Sequence, residues 1–187
     1  MFGHLKDTTK DMDPADFPPP SPGTYWPEDL AETMNEMRVS PHEIDEDILH
    51  PFLPKGHKID QSRDRRLNNL REHLAEAYSV HSAATHLMDS DPEWDFMAVY
   101  YRAIDEISHH FMHYHPPQMT GIPDGDFEIY QHVINATYRA HDMMLQVLLQ
   151  KAGPDTTVIL VSDHGFHSDH LRPKFTPRVP AGITVWH

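Results

Sequence analysis

Cysteine is absent from this chain of 187 residues. Its absence excludes a disulfide framework, an all-thiolate zinc finger, an iron–sulfur cluster and a cysteine nucleophile. The sequence also lacks an apolar run that approaches the roughly 20 residues of a membrane-spanning helix. Its first residues lack the apolar centre of a signal peptide. We therefore expect a soluble protein, and these absences favour the cytoplasm as its compartment.

Basic charge is scarce in the chain, whereas histidine is abundant. There are 15 lysine and arginine residues against 29 aspartate and glutamate residues, which gives a formal net charge of −14. Because nucleic-acid backbones require a basic surface, this balance argues against binding to duplex nucleic acid. The 17 histidines exceed what packing requires, and histidine is the commonest side-chain metal ligand. Composition alone therefore favours metal binding.

Proline and hydrophobic periodicity divide the chain into parts. Nine of the 17 prolines lie in the first 54 residues. Residues 1–26 are interpreted as a Pro-rich arm in which neither a helix nor a central strand can form. Residues 27–93 are predicted to be helical. They contain two short helices, the second N-capped by Ser40, and a long helix over 61–88.

The third part of the chain, residues 94–187, carries two apolar runs typical of buried strands. These runs are DFMAVYY at 95–101 and TTVILVSD at 156–163. Helices over 104–114 and 126–151 are predicted between them, and AGITVWH starts a last strand. Strands separated by long helical connections indicate an α/β fold whose parallel sheet is buried on both faces.

Acidic residues and histidines follow both predicted strands, at the sheet edge where open α/β folds bind ligands. Asp105 and His109 are four residues apart, so they share a helix face and can meet one metal ion. Asp163 and His164 stand in a turn that Gly165 allows, where both can point to one site. Alone, the first pair is more often a solvated surface pair, and the second is more often a simple turn. Together they favour a metal site with oxygen and nitrogen ligands, which suits zinc, manganese or iron.

The two motifs stand in segments that resemble a known family. YYRAIDEISHHFMHYHPP and, about 50 residues later, VILVSDHGFHSDHLRP are similar to segments of the alkaline phosphatase superfamily. The resemblance is to its type I phosphodiesterase/nucleotide pyrophosphatase branch, and it covers residues 94–187. It implies an alkaline phosphatase-like core with a parallel sheet in αβα layers, incomplete in this chain. Residues 27–93 then resemble the helical insertion of such relatives, and residues 94–187 form the metal-binding part of the core.

The resemblance also implies the ligands and the reaction. Two divalent metal ions are expected, commonly zinc, with manganese as the alternative. One would be held by Asp105, His109 and His187, and the other by Asp163 and His164. Two cations about 4 Å apart stabilise both the attacking and the leaving oxygen of a phosphoryl transfer. The implied function is a metal-dependent phosphoric ester hydrolase that acts on a small-molecule phosphate ester.

The family pattern begins with a strand, a metal-binding aspartate and a threonine or serine nucleophile, and these are not found in the chain. Thr8 and Thr9 follow no apolar strand, and Thr24 lies in a proline-rich stretch. We therefore expect the chain to be the central and later part of a larger enzyme, with its nucleophile upstream. Such a segment should have weak or no activity by itself. The catalytic residues, the substrate and the oligomeric state stay open.

Two other functions stay open as well. A non-catalytic, histidine-rich metal-binding or interaction module would account for the charge, the histidines and the missing nucleophile. It would not account for two Asp/His pairs after successive strands. A relative of the sulfatases or phosphoglycerate mutases would share the same metal chemistry.

Other polar residues lie outside the two motifs. Arg172, Lys174 and Arg178 either help to hold an anionic substrate or form an exposed basic loop. His81 and His141 lie on apolar helix faces, so we expect them in the core.

Overall fold

Six α-helices and four short 3-10 helices make up about half of residues 20–172, the part of the chain that the computed structural model describes. Most of the predicted arm and the last predicted strand lie outside these residues. No helix within 20–172 is both long and apolar enough to cross a membrane. The helices are α1 (Ala31–Glu36), α2 (Glu46–Leu49), α3 (Arg66–Ser90), α4 (Ala103–Phe111), α5 (Asp124–Tyr130) and α6 (Val133–Ala152). Shorter 3-10 helices span Glu28–Leu30, Pro41–Glu43, Gly56–Lys58 and Met112–Tyr114.

Side-chain caps define the short helices before α3. Ser40 Oγ accepts a hydrogen bond from the His42 amide at 3.3 Å, and Glu43 accepts one from the Ser40 amide at 2.6 Å. This is a capping box at the start of a 3-10 helix. Asp45 then caps α2 by accepting from the Ile48 amide at 3.0 Å. The second short helix predicted from the sequence is therefore divided into this 3-10 helix and α2, because Ser40 and Asp45 each cap a separate helical turn.

The long helix predicted over 61–88 is confirmed as α3, although it begins at Arg66. The helix begins later than predicted because the residues before it form a turn. In this turn the Asp60 carboxylate accepts a hydrogen bond from the Ser62 amide at 3.1 Å. One face of α3 packs against α4 and α6. The buried leucines of that face, each at most 1% exposed, are Leu67, Leu70 and Leu74.

The predicted helices over 104–114 and 126–151 are also present, the second as the two helices α5 and α6. Their apolar side chains complete the core: Phe111 of α4 and Tyr130 of α5 are both 0% exposed. Their ring centroids lie 5.6 Å apart, a distance at which aromatic pairs attract. Because α4 packs against both α3 and α6, its position is fixed on two sides.

A polar network at the start of α3 joins it to α5. Arg66 Nη2 lies 2.6 Å from Asp64 Oδ2 and 3.0 Å from Asp126 Oδ1. The Arg66 guanidinium also stacks 4.3 Å from the centre of the Tyr130 ring. The Tyr130 hydroxyl donates to Asp64 Oδ2 at 2.7 Å. Burial acts to raise the pKa of Asp64, but its hydrogen bonds from Arg66 and Tyr130 lower it overall.

The predicted α/β fold with a parallel sheet is wrong for the described residues, since 20–172 contain helices and no strand. The runs at 95–101 and 156–163 make no backbone–backbone hydrogen bonds with other described residues. Several of their apolar side chains are exposed: Phe96 is 84% and Leu160 82% accessible. An apolar run becomes a strand only where a neighbour pairs its amides and another layer covers its side chains. The described residues supply no pairing strand for either run, so the αβα layers that the resemblance implied are absent from them.

Candidate metal centre

Asp105 and His109 lie one turn apart on α4, and their side chains meet. His109 Nε2 is 3.4 Å from Asp105 Oδ1, and the two side chains are 31% and 40% exposed. The helix buries Ile107 and Phe111 on its apolar face, which leaves Asp105 and His109 at the boundary between core and solvent. The shared face predicted from their spacing is therefore present.

His164 reaches the same carboxylate from a distant part of the chain. Its Nε2 lies 3.4 Å from Asp105 Oδ1, so this oxygen stands between two imidazole nitrogens. Asp105 Oδ1 is shielded from solvent, yet no hydrogen-bond donor among the described residues reaches it. A buried acceptor without a donor carries a free-energy cost.

The spacing of these atoms fits a divalent metal ion. Ligand atoms about 2.0–2.2 Å from a tetrahedral zinc ion are about 3.4 Å from each other. Carboxylate oxygen and imidazole nitrogen are also donors that zinc accepts. The ion would supply the partner that Asp105 Oδ1 lacks, so the residues present suit the group that the sequence predicts.

Asp163 lies at the edge of this group and faces solvent. Its side chain is 92% exposed, and its Oδ2 is 4.0 Å from His164 Nε2. Its other carboxylate oxygen accepts a hydrogen bond from the His164 amide at 3.1 Å. His187, the remaining predicted ligand, lies outside the described residues. The structure thus brings Asp105, His109 and His164 together and places Asp163 beside them.

Phe166 packs between the two histidines of the group. Its ring contacts His109 edge-on, with centroids 5.0 Å apart, and His164 at 5.4 Å. It is partly buried against the apolar core, so it anchors the turn after His164 to α4. Sequence reasoning missed this role, and the only signal was an aromatic residue one position after the Asp-His-Gly turn.

Arg172 anchors the same segment at its other end. It is 4% exposed, and it donates to the carbonyl oxygens of Asp169 at 2.7 Å, of Pro117 at 2.9 Å, and of His115. Arg172 therefore belongs neither to an exposed basic loop nor to a surface open to an anionic substrate. It ties the segment that carries His164 to the chain that follows α4. Lys174 and Arg178 lie outside the described residues.

His81 and His141 lie on either side of Tyr101. The Tyr101 hydroxyl is 2.9 Å from His81 Nδ1, and His141 meets the Tyr101 ring edge-on at 5.6 Å. Burial raises the pKa of Tyr101 to about 12 and lowers the pKa of both histidines. The core position predicted for His141 is confirmed, since it is 9% exposed, whereas His81 is half-buried.

The threonines considered as nucleophiles gain no support. Thr24 lies in an exposed turn, where its hydroxyl donates to the Ser21 carbonyl at 2.6 Å. Thr8 and Thr9 lie outside the described residues.

A second group of possible ligands, missed by sequence reasoning, lies between α3 and α4. Metal-ligating atoms of His73, Glu106 and His110 all lie within 4.8 Å of one another. The signal was present in the sequence: Glu106 and His110 repeat the four-residue spacing of Asp105 and His109, shifted by one position.

Two imidazole nitrogens that approach one shielded carboxylate oxygen form a candidate metal site. The sequence family is compatible with a site of this class. The family model of the type I phosphodiesterase / nucleotide pyrophosphatase matches residues 13–170. The chain belongs to this family, which confirms the resemblance carried by the two motifs. The family suggests a phosphodiesterase- or pyrophosphatase-type hydrolase whose substrate is a small-molecule phosphate ester. No curated protein and no solved structure matches the chain.

Proposed function

We propose that this chain supplies the metal-binding part of a phosphoric ester hydrolase. Asp105 and His109 hold one divalent ion, and His164 with Asp163 holds a second one beside it. The observation that carries the proposal is Asp105 Oδ1, which is buried, has no hydrogen-bond donor among the described residues, and lies 3.4 Å from two imidazole nitrogens.

The arrangement of the side chains leaves His164 and Asp163 available for a second ion. His164 Nε2 lies between two carboxylates, 3.4 Å from Asp105 Oδ1 and 4.0 Å from Asp163 Oδ2. The exposed carboxylate of Asp163 can turn without leaving a packed environment. Zinc is the first candidate and manganese the second, because all the donors are oxygen or nitrogen. His187 stays in the proposal as the third ligand of the first ion.

Bound cations would neutralise a phosphoryl group and polarise its oxygens. The protein's own residues perform the positioning. Asp105 and His109 are fixed on a helix that is packed on two sides. Phe166 packs against both imidazoles. Arg172 holds the second motif to the chain that follows α4. With a net charge of −14, the chain depends on the cations for the positive potential that an anionic substrate needs.

The matched family also bears on the alternatives. A phosphodiesterase/nucleotide pyrophosphatase match favours phosphoric esters over sulfate esters and over a phosphoglycerate mutase reaction. A purely non-catalytic, histidine-rich module would spread its ligands over many surface histidines. The convergence of two distant motifs on Asp105 favours a built site instead.

Binding of a phosphate analogue tests the proposal without requiring a nucleophile in the chain. Methylphosphonate should bind to the zinc-loaded protein and fail to bind to the zinc-free protein in calorimetry. Asp105→Asn and His164→Gln should both lose this binding, whereas His50→Gln, a change at an exposed histidine directly after α2, should keep it. Equal methylphosphonate binding with and without zinc, or by the Asp105→Asn variant, would contradict the proposal.

Turnover tests the further expectation that the segment is weak by itself. A chromogenic phosphodiester should be hydrolysed slowly or not at all by this chain with zinc or manganese. Robust hydrolysis that Asp163→Ala abolishes would overturn that expectation, and it would place a nucleophile within the chain.

A further inference from the structure

A second group of metal-ligating side chains lies on another face of α4 from Asp105 and His109. Successive residues of an α-helix are turned by about 100°, so Glu106 and His110 point away from the first pair and towards α3. There they meet His73, and metal-ligating atoms of all three side chains lie within 4.8 Å of one another. The two imidazole rings stack, with centroids 5.9 Å apart and an interplanar angle of 26°.

From this juxtaposition we infer that His73, Glu106 and His110 bind a divalent transition-metal ion that joins α3 to α4. This site is separate from the proposed centre at Asp105, and it does not depend on it.

The state of His73 is the main support for the inference. Its Nε2 is shielded from solvent and has no hydrogen-bond partner among the described residues. A buried imidazole nitrogen normally has such a partner. A metal ion would supply the missing interaction, and histidine is the commonest side-chain metal ligand.

Glu106 is already oriented for such a role. Arg102 holds its carboxylate through Oε1, with the Arg102 Nε at 3.1 Å and a second contact from Nη2. These bonds hold the carboxylate of Glu106, which shares a helix face with His110 because the two residues are four apart. Glu76, also close to Arg102 Nη1 at 3.8 Å, adds negative charge around the site and offsets the Arg102 cation.

The spacing requires only small side-chain movements. Ligand atoms around a zinc ion are about 3.4 Å apart in a tetrahedral site. Rotation of the Glu106 side chain and of the two imidazoles can reduce the observed separations to that range. Two histidines and one glutamate form a ligand set found in zinc proteins, in which water fills the fourth position.

Zinc titration of a protein that lacks the first centre tests the inference. In the Asp105→Asn/His164→Gln background, calorimetry should still show one zinc ion bound per chain. Loss of a residue that only contacts a metal ligand typically lowers metal affinity about 10- to 100-fold. Adding His73→Gln or His110→Gln removes a ligand itself, so the zinc affinity should fall by more than that. His86→Gln, on the same helix α3 but outside the group, is the matched control and should leave the affinity unchanged.

The optical spectrum of the cobalt(II)-loaded protein gives a second readout of coordination by nitrogen and oxygen ligands. It should change in His73→Gln and stay the same in His86→Gln. Circular dichroism shows whether His73→Gln or His110→Gln loses helix. If one of them does, Glu106→Gln is used in its place, and the same loss of zinc affinity is expected. If the background protein bound no zinc, or if His73→Gln, His110→Gln and His86→Gln all bound it equally, the inference would be overturned.

Discussion

Replacing Arg172 by methionine should release the segment that carries His164 from the chain that follows α4. Methionine has a similar length and an apolar stem, but it cannot donate the hydrogen bonds that Arg172 gives to the carbonyls of Asp169, His115 and Pro117. Between Thr157 and Leu171, most side chains are exposed. The contacts of Arg172 are therefore a large share of what holds this segment in place.

The size of the effect follows from these bonds. A hydrogen bond from a charged donor contributes about 1.5–3 kcal/mol. The three bonds share one guanidinium and the carbonyls can bind water instead, so we expect a total of about 2–3 kcal/mol rather than the sum. Each 1.4 kcal/mol corresponds to a tenfold change in an equilibrium constant. When the ligand-bearing segment is docked less often, the apparent zinc affinity falls in proportion, here by about 30- to 140-fold.

Zinc calorimetry with a competing chelator measures this change. Arg63→Met is the matched control, because the Arg63 side chain is 87% exposed and makes one ion pair at 3.8 Å. Far-UV circular dichroism should show the same helix content in both variants. If Arg172→Met bound zinc as tightly as Arg63→Met did, Arg172 would not position His164, and the reasoning would fail.

Two further predictions concern the helical core. Asp64→Asn should lower the free energy of unfolding by about 2 kcal/mol at pH 7, because it breaks charge-assisted hydrogen bonds with Arg66 and Tyr130. Since the folded pKa of Asp64 lies below its ordinary value, its contribution is complete above about pH 4 and is lost as the pH falls further. Urea unfolding at several pH values measures both effects, and equal stabilities at pH 7 would refute them. Phe111→Ala, at a side chain that is 0% exposed, should cost about 3–5 kcal/mol in the same assay. A loss no larger than that of Met143→Ala, at a 67% exposed side chain, would contradict this packing.

The helices were predictable because their signals are local. The leucine spacing of α3, the Ser40 cap and the stop at Gly153, whose φ is +72°, each act within a few residues. The meeting of Asp105 with His109 was predictable for the same reason, since residues four apart share a helix face.

The sheet was not predictable, because a strand depends on partners that its own sequence does not contain. The run at 156–163 has the composition of a buried strand, yet Ile159 is 78% exposed among the described residues. Composition reports which residues can pack in a sheet, and only a neighbouring strand makes them do so.

The contacts between distant segments were only partly accessible. The family resemblance led us to expect the second motif near the first, but not that His164 Nε2 would approach Asp105 Oδ1 while the Asp163 side chain stays 92% exposed. The group of His73, Glu106 and His110 was missed because His73 lies on α3, and its approach to α4 depends on the rotation of two packed helices.

Crystals of the protein grown with zinc, measured at the zinc absorption edge, would test the central claim most directly. The anomalous signal locates zinc independently of any assumption about its ligands. We predict one ion at about 2.0–2.2 Å from Asp105 Oδ1 and from His109 Nε2, with a second ion bonded to His164 Nε2. Zinc bound elsewhere, with no ion within bonding distance of Asp105 Oδ1, would contradict the proposed metal centre.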